Sequence, residues 1–504
     1  MMRRILFMFL LAATALWAGN PAEQVPPPQD EGESGGFDVT MGLSAGAAVL
    51  DGQLYNQIGI RPLITMGKLG IALDLSIYLD ADGNIRQENW DEPSDFFEKL
   101  YFVRWGHPGD PLYIKVGAID NYRLGYGLLM NRYANTIEYP SVIRTGLELG
   151  IQGEEYGFQG MMNNFSETFD GGGLVAGRLS YKVIGDLEIG VSAVADINQY
   201  KGLKDNDDDG VPDFVDDFPN KKKYQIDTDG DRVPDPLDPD RDGDGYTDNT
   251  QRDDVQNNDP DGVVLKDAPF DVNKADDKSQ FAYAADIAYP FVKQEYLTLV
   301  VYSQFAQFAY DGGWGITAPG VQAKFAFINA FAEYRIFDKK FIPEYFNTTY
   351  ELERAVLRGD SVQTKRQVLE MLNETAQGYV IGADFNLGDI MVFGAEYQNM
   401  SISSDNAAFD NLRTLRANLD LNANIIPKIR TAGAYYYQNN TSLNKIFSRT
   451  EGTILGYRFG YDIGGGAALV LDFRQTFRDK NGDGRIKGSD EVIKTTMIQT
   501  VFTF

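Results

Sequence analysis

The chain has 504 residues, a formal net charge of −27 at pH 7, one histidine and no cysteine. This acidic balance argues against a nucleic-acid partner, because phosphate binding needs a basic surface. The absence of cysteine excludes a disulfide framework and thiolate chemistry. His107 is the single histidine and no nucleophile–base set accompanies it, so we expect neither a histidine-based metal site nor an enzyme.

The N-terminal stretch has the pattern of an export signal. Met1–Arg4 is basic, Ile5–Leu16 is apolar, and Ala18 is a small residue suited to cleavage. The apolar run is too short for a membrane helix, so residues 1–18 are predicted to be a secretory signal peptide. Residues 19–36 are rich in proline, glycine and glutamate and are predicted to form a disordered periplasmic tether.

Two long regions, 37–200 and 280–504, alternate apolar and polar residues with a period of two. In Ala467–Phe477, for example, Leu471 lies on the apolar face and Asp472 on the polar face. No later stretch is apolar for long enough to span a membrane as a helix. Very short turns and longer loops separate the strands alternately, which predicts about twenty antiparallel strands in total, roughly nine in the first region and eleven in the second.

Strands of this length, with one apolar and one polar face, fit two kinds of fold. A soluble multi-sheet protein also alternates. A transmembrane β-barrel alternates apolar-out and polar-in, and its closure leaves no unpaired backbone in lipid. The export signal and the 28 tyrosines and 31 phenylalanines, suited to interfacial girdles, favour the barrel embedded in outer-membrane lipid.

The last thirteen residues, Val492–Phe504, place Ile498, Phe502 and Phe504 at alternate positions. This stretch resembles the closing strand of bacterial outer-membrane barrels, which ends in phenylalanine. The resemblance implies a location in the outer membrane of a Gram-negative-type bacterium. It also implies that the barrel assembly machinery recognises the strand that ends in Phe504.

Between the two barrel regions, residues 201–279 form an insertion in which aspartate recurs at alternate positions in three bursts. Val-Pro-Asp occurs twice, which marks an internal repeat. A calcium loop supplies oxygens from positions 1, 3, 5, 7, 9 and 12, with glycine at position 6. In the first burst those positions are Asp205, Asp207, Asp209, the Val211 carbonyl, Asp213 and Asp216.

The three bursts resemble the thrombospondin type 3 repeat, a calcium-filled module of the form D-x-D-x-D-G-x-x-D-x-x-D. The resemblance implies further calcium ligands at Asp227, Asp229, Asp231, Asp235, Asp238, Asp240, Asp242, Asp244 and Asp248. Two positions depart from the pattern: Arg232 replaces the glycine of the second loop, and Gln251 replaces the last aspartate of the third. Those two sites are expected to be weaker or shared. A solvated acidic loop is the alternative.

Three other stretches carry chemistry. A second calcium loop is predicted near the C-terminus, with ligands Asp479, Asn481, Asp483 and Asp490. Residues 349–373 have helical apolar spacing broken at Gly359–Asp360, and could constrict a pore or cap it. The connection Asn121–Arg144 contains arginines that could line a passage or pair with acidic neighbours.

These observations predict an all-β transmembrane antiparallel barrel of about twenty strands with an extracellular calcium-binding insertion. Strand parity, counted from a periplasmic C-terminus, places the insertion outside the cell. Two functions remain open. One is a porin-like channel for small polar solutes with a structural calcium module. The other is a barrel-anchored surface adhesion or envelope-organising protein that acts through the calcium-binding repeats.

Overall fold

The computed structural model describes residues 37–503 except for gaps at 51–52, 87–89, 91–98, 137–138, 140–141, 244, 246, 249–264, 311, 359–360, 388–389, 405–406, 423–426, 439–448, 450–452, 465–466, 478–485 and 487–491. Several predictions from the sequence therefore lie outside the described residues: the signal peptide 1–18, the tether 19–36, the ligand Asp244, the C-terminal calcium loop with Asp479, Asn481, Asp483 and Asp490, and the terminal Phe504.

The described residues are mainly β-strands. The first ten strands precede the insertion: β1 Phe37–Leu50, β2 Gln53–Met66, β3 Leu69–Leu73, β4 Leu75–Leu79, β5 Leu100–Trp105, β6 Leu112–Gly117, β7 Gly146–Gln152, β8 Tyr156–Met162, β9 Leu174–Ile184 and β10 Leu187–Asp196. The others follow it: β11 Gln280–Gln294, β12 Leu297–Phe308, β13 Trp314–Phe325, β14 Ile328–Phe337, β15 Ala355–Arg358, β16 Ser361–Thr364, β17 Thr375–Asn386, β18 Met391–Ser404, β19 Ala407–Asn422, β20 Ile429–Gln438, β21 Thr453–Gly464, β22 Ala467–Phe477 and β23 Val492–Thr503.

Twenty-one of these strands form one antiparallel sheet, and β15 and β16 pair separately as a small hairpin. Neighbours in the chain are neighbours in the sheet, apart from the hairpin and the division between β3 and β4, which both pair with β2 and are separated by Asp74 alone. The first strand also pairs with the last, with Gly42 opposite Thr503 and Ala45 opposite Thr500. The predicted all-β antiparallel fold is confirmed.

The two faces of the sheet differ in burial and in polarity. Along β11, Phe281, Tyr283 and Ile287 are exposed, whereas the intervening Ala284 and Asp286 are buried. The exposed face carries large apolar side chains in the neighbouring strands as well, among them Leu179, Tyr181, Val183, Ile189, Val191, Tyr289, Val301, Tyr334 and Ile336. The buried face carries polar and charged side chains, among them Arg178, Ser180, Ser192, Gln304, Thr317, Glu333, Arg335, Glu396 and Thr414.

Two connections do not extend away from the sheet but lie against its buried face. Residues 119–136 and 338–374, together called the inner segments, supply Leu128, Met130, Tyr345 and Phe346 to one apolar cluster. The sheet supplies the other side of the cluster from β8 to β18, with residues that include Met161, Leu174, Val194, Ala282, Ala284, Ala306 and Met400. The largest apolar cluster among the described residues therefore holds the inner segments against the sheet.

The helical prediction for residues 349–373, which lie in the inner segment 338–374, is wrong for part of that range. The segment contains two short helices, Tyr350–Glu353 and Lys365–Glu370, with the β15–β16 hairpin between them. The second helix is fixed by a capping box in which Thr364 and Gln367 each bind the other's backbone. Helices this short have little stability of their own, so tertiary contacts decide the conformation. The break predicted at Gly359–Asp360 lies outside the described residues.

The insertion departs from the sheet at the end of β10, where a 3-10 helix spans Gln199–Gly202. No strand is assigned among its described residues from 203 to 279. In the part of the chain that the structure covers, no helix has the length and apolarity that crossing a membrane requires.

A glycine inside the sheet provides a test of this strand pairing. An alanine Cβ at Gly378 of β17 would lie 2.0 Å from the backbone carbonyl oxygen of Asn399 in β18. At Gly177 of β9 the nearest atom would lie 3.7 Å away. We expect Gly378→Ala to lower the free energy of unfolding by about 1–3 kcal/mol because backbone must shift. Gly177→Ala should be close to neutral. Equal urea midpoints for the two variants would contradict the pairing.

Candidate functional site

The insertion contains the same backbone turn three times. In each copy the N–H of the sixth position donates to the carboxylate of the first position. These bonds run from Gly210 to Asp205 (2.9 Å), from Arg232 to Asp227 (2.9 Å) and from Gly245 to Asp240 (3.0 Å). The repeat seen in the sequence is therefore also a repeat of geometry.

A second bond closes each turn through the carboxylate of the ninth position, which accepts from the N–H of the second position. The donors and acceptors are Asn206 and Asp213 (2.8 Å), Thr228 and Asp235 (2.8 Å), and Arg241 and Asp248 (3.2 Å). One oxygen of each ninth-position aspartate is thus occupied by the turn itself.

These turns gather carboxylates into three groups whose ligand oxygens lie within 4.8 Å of one another. The groups are Asp205, Asp207 and Asp209; Asp227, Asp229 and Asp231; and Asp240, Asp242 and Asp248. The carboxylates at positions 1, 3 and 5 converge in the first two loops, and their binding of calcium stays a prediction. Asp213 and Asp235 are not members of these groups. Asp213 instead lies near Lys204, and Thr228 donates both its N–H and its hydroxyl to Asp235.

The twelfth position of the first loop is a buried carboxylate. Asp216 is only 8% exposed, and its Oδ2 has no hydrogen-bond partner, as is also true of Oδ2 of Asp207. Burial, together with the neighbouring Asp209 and Asp205 carboxylates, raises the pKa of Asp216 above its usual value. Burial and nearby aspartates raise the pKa of Asp205 to about 6. Burial is the main cause of both shifts, and a divalent cation among these oxygens would offset both the burial of the charges and their mutual repulsion.

The second and third loops lie side by side. An added Cβ at Gly243 would lie 2.9 Å from Oδ2 of Asp229, so the two loops are in contact. Asp238, the twelfth position of the second loop, and Asp240, the first position of the third, each have a buried oxygen without a partner. Both observations agree with the expectation that these two loops share ligands. In both loops the oxygens that could bind a cation belong to carboxylates, which suit calcium.

Inside the sheet, a buried cluster of charges joins the inner segment 338–374 to the end of β10. The Arg354 guanidinium is fully buried and lies 2.9 Å from Glu351, 2.8 Å from Glu167 and 3.2 Å from Asp196. Arg144 lies 3.6 Å from Glu351 as well. Burial opposes the charged form of Glu351, yet Arg354 and Arg144 hold its pKa below the usual value.

A second charged cluster lies where the inner segments meet β14, β18 and β19. Arg132 contacts Glu396 (2.8 Å), Arg335 contacts Glu344 (3.2 Å), and Arg416 contacts both Glu344 (3.6 Å) and Glu396 (3.4 Å). The Arg132 side chain is 40% exposed, so this ionic cluster borders solvent. These residues, Arg132, Arg335, Glu344, Glu396 and Arg416, are called the charged ring.

The sequence identified only part of these clusters. From the sequence, the arginines of 121–144 are expected either to line a passage or to pair with acidic neighbours. In the structure Arg144 is paired and buried, whereas Arg132 is paired and partly exposed. Glu344, Glu351 and Arg354 were not singled out. The acidic and basic alternation of 351–354 is a signal in the sequence, but the contacts with Glu167 and Asp196 come from distant parts of the chain.

Comparison with known proteins adds little to this geometry. No protein-family model matches the sequence, and no curated protein matches it significantly. Three solved structures align along most of the chain. OccK5 (OpdH) of Pseudomonas aeruginosa is 8% identical over 93% of this chain and 98% of its own, with a TM-score of 0.34. OccD3 (OpdP) of Pseudomonas aeruginosa is 9% identical over 97% and 99%, with a TM-score of 0.33.

The third is Wzi of Escherichia coli, described as an outer-membrane protein involved in group 1 capsule assembly and a carbohydrate-binding β-barrel. It is 8% identical over 99% of this chain and 96% of its own, with a TM-score of 0.32. Identity and TM-score are too low in all three cases to carry an argument about this chain.

The sixth position of the calcium loops gives a prediction. Gly210, Arg232 and Gly245 all have a positive φ, of 96°, 76° and 90° respectively. Arg232 is strained there because a Cβ opposes the left-handed conformation, at a cost of about 1 kcal/mol or more. We expect Arg232→Gly to relieve that strain and to increase calcium affinity in the insertion by about fivefold, as measured by isothermal titration calorimetry.

The matched change is Gly210→Ala in the first loop, where φ is positive and the new Cβ would lie 2.5 Å from Nδ2 of Asn273. We expect this variant to bind calcium more weakly. If both variants bind calcium as the parent does, the sixth position does not set loop geometry in the way described.

Proposed function

We propose that the chain is an outer-membrane β-barrel that forms a porin-like channel for small polar solutes and carries a structural, extracellular calcium-binding module. The observation that carries the membrane proposal is the polarity of the sheet. A soluble protein buries its apolar faces and exposes its polar ones. Here Tyr283 and Val191 are exposed, while Arg178, Asp286 and Arg335 are buried.

The buried polar groups on the inner face have partners, as an internal surface requires. Arg178 binds Asp286 through both Nε (2.9 Å) and Nη2 (2.6 Å), and it also binds Glu188 at 2.8 Å. On the outer face, large apolar side chains follow the strands around the sheet as far as Leu455, Tyr457, Phe459, Tyr461 and Leu469. Such an apolar band is what lipid contact demands, since charged groups on the lipid face are destabilising.

Strand pairing supports closure. The pairing of β1 with β23 gives each of these strands a second neighbour. If β3 and β4 are counted as one interrupted strand, the described residues of the sheet form twenty strands. Nine of them precede the insertion and eleven follow it. An even number is the rule in single-chain bacterial barrels, and closure satisfies every backbone group inside the lipid.

The channel proposal rests on the part of the inner face that the inner segments do not cover. Asp384, Asn418 and Asp420 lie on the same face as the buried Glu396, yet they are exposed. Exposed carboxylates on an inward face require water beside them. The charged ring lies on the same side, so its ionic groups border the path of a polar solute.

Calcium fits the insertion because three turns converge carboxylates and leave Oδ2 of Asp216 buried without a hydrogen-bond partner. Extracellular calcium modules bind in the millimolar to submillimolar range, which agrees with the external position that strand parity predicts. Asp205, Asp207, Asp209 and Asp216 would hold the first ion, and the second and third loops would share ligands at Asp229, Asp238 and Asp240.

One observation favours a second function. The apolar cluster around Tyr345 and Phe346 fills the space beside the wall from β8 to β18, and a filled barrel acts as an anchor. In that case the calcium-binding repeats would provide a surface for adhesion or envelope organisation. Conductance in planar bilayers separates the two functions, because only the channel conducts.

The lipid-facing surface can be tested by one substitution. Val191 is an exposed apolar residue in the middle of β10, and Phe169 is an exposed apolar residue outside the strands. We expect Val191→Arg to lower stability in lipid vesicles by about 2–4 kcal/mol, because arginine is costly in the bilayer centre. Phe169→Arg should be nearly neutral. Equal urea midpoints for both variants would indicate that the exposed face is in water.

The channel can be tested at the charged ring. The charged ring consists of three arginines and two glutamates, and Arg132 is the most exposed of the three arginines. We expect Arg132→Gln to leave a conducting barrel with a higher preference for cations, because Glu396 loses one of its two arginine partners. Lys222→Gln removes the same charge from an exposed residue of the insertion that is not part of the charged ring, and it should leave selectivity unchanged. A parent barrel without conductance would favour the anchor function.

A further inference from the structure

The insertion is docked on the inner segment 338–374 through a small apolar interface. Tyr200 of the 3-10 helix at its start and Val272 of its returning segment are buried together with Ala355 of the β15–β16 hairpin. Phe270 and Val362 pack against this cluster, and the rings of Tyr200 and Phe270 lie edge to face with centroids 5.2 Å apart. This set of residues is called the docking cluster.

Beside the docking cluster, a chain of hydrogen bonds connects the first calcium loop to the inner segment. The Val272 N–H donates to the carbonyl of Gly210 (2.9 Å), which is the sixth position of the loop. Asn198 Nδ2 donates to the carbonyl of Val272 (2.9 Å). The Arg354 guanidinium donates in turn to the carbonyl of Asn198 (3.1 Å).

The chain of contacts continues from Arg354 into the other inner segment, residues 119–136. Arg354 Nη1 donates to Glu351 (2.9 Å), and the Tyr133 hydroxyl donates to the same carboxylate. Tyr133 lies in 119–136, next to Arg132 of the charged ring. A single series of contacts therefore leads from a calcium loop outside the barrel to the residues that border its passage.

A parallel set of contacts joins the returning end of the insertion to the same inner segment. The Arg366 guanidinium donates to the carbonyl of Ser279 (3.1 Å) and lies 3.5 Å from the carboxylate of Asp277. The Arg366 N–H donates to the side chain of Gln199 (3.1 Å). Both ends of the insertion are thus attached to residues 354–366, and a change in the insertion must act on that segment.

The first loop is also the loop with independent evidence for a cation. Besides its three converging carboxylates, it has the buried Asp216, whose Oδ2 has no partner and which lies close enough to Asp205 and Asp209 for their charges to interact. We propose that calcium in this loop regulates the channel by holding the insertion on the docking cluster and so fixing the inner segments across the passage. This inference rests on the calcium and channel functions proposed above.

Repulsion among the aspartates of the first loop links the metal to the docking of the insertion. Without metal, four aspartates of one loop repel one another around Gly210, and the turn that presents the Gly210 carbonyl to Val272 is disfavoured. The docking cluster is small, so it loses stability when that attachment is weakened. Removing calcium should therefore undock the insertion, loosen residues 338–374 and widen the passage.

The absence of native cysteine allows a direct test by thiol labelling of the full chain in lipid vesicles. Ala355 is 4% exposed under the docked insertion, and Lys222 is exposed on the insertion itself. With calcium chloride we expect a maleimide to modify K222C quickly and A355C slowly. With a calcium chelator we expect A355C to react about tenfold faster, since local opening controls access, and K222C to react at an unchanged rate.

Two further measurements complete the test. Phe270→Ala with Val272→Ala removes part of the docking cluster and no proposed calcium ligand. In that background A355C should react quickly with or without calcium, while calorimetry still detects calcium binding. In planar bilayers, chelation should raise the conductance of the parent barrel, and the double variant should conduct at the raised level in calcium too. If A355C does not fold, V362C replaces it.

The outcomes distinguish this inference from the functions on which it rests. No heat of calcium binding would overturn the calcium module and the regulation with it. Calcium binding with equal A355C labelling in calcium and chelator would overturn the regulation and leave the module intact. A conducting barrel whose conductance ignores chelation would also overturn it. Protection of A355C by calcium in a barrel that does not conduct would overturn the channel function and the regulation of a channel, and would leave calcium-dependent docking of the insertion.

Discussion

Backbone pairing around the whole sheet is the constraint on which the other features depend. Because β1 pairs with β23 as well as with β2, the first and the last strand of the sheet each have two neighbours, and the two faces of the sheet differ in burial and polarity. Successive side chains along each strand then point alternately to the buried face and to the exposed face of the sheet. This is why Tyr283 and Asp286, three residues apart in β11, lie in opposite surroundings.

An inner face that is polar has consequences for the connections that fold against it. The inner segments cover part of that face with an apolar cluster, and they bring their own charges with them. A buried charge is tolerated only with partners, and Arg354 has three carboxylates from 167, 196 and 351. The same arginine binds the Asn198 carbonyl, so the attachment of the inner segment and the base of the insertion are one structure.

The insertion contains three aspartate turns whose path is fixed by backbone hydrogen bonds. In all three turns, N–H groups bind the first and ninth carboxylates and fix the path of the chain. The remaining oxygens then face one another, and in Asp216 one is buried without a partner. The turn is therefore organised but electrostatically incomplete, and a cation would supply what it lacks.

The sequence by itself determined the strands, the antiparallel all-β class and the spacing of the aspartate loops, because these features repeat locally with periods of two and of about a dozen residues. The tertiary structure decided what local patterns could not. Residues 349–373 have helical spacing but contain a β-hairpin, since short helices follow their contacts. Arg354, Glu351 and Glu344 became central only because distant parts of the chain meet them: Glu167, Asp196 and Arg416 lie far away in sequence. No local pattern encodes partners this far apart in the sequence, so the link between the insertion and the inner segments could come from the fold alone.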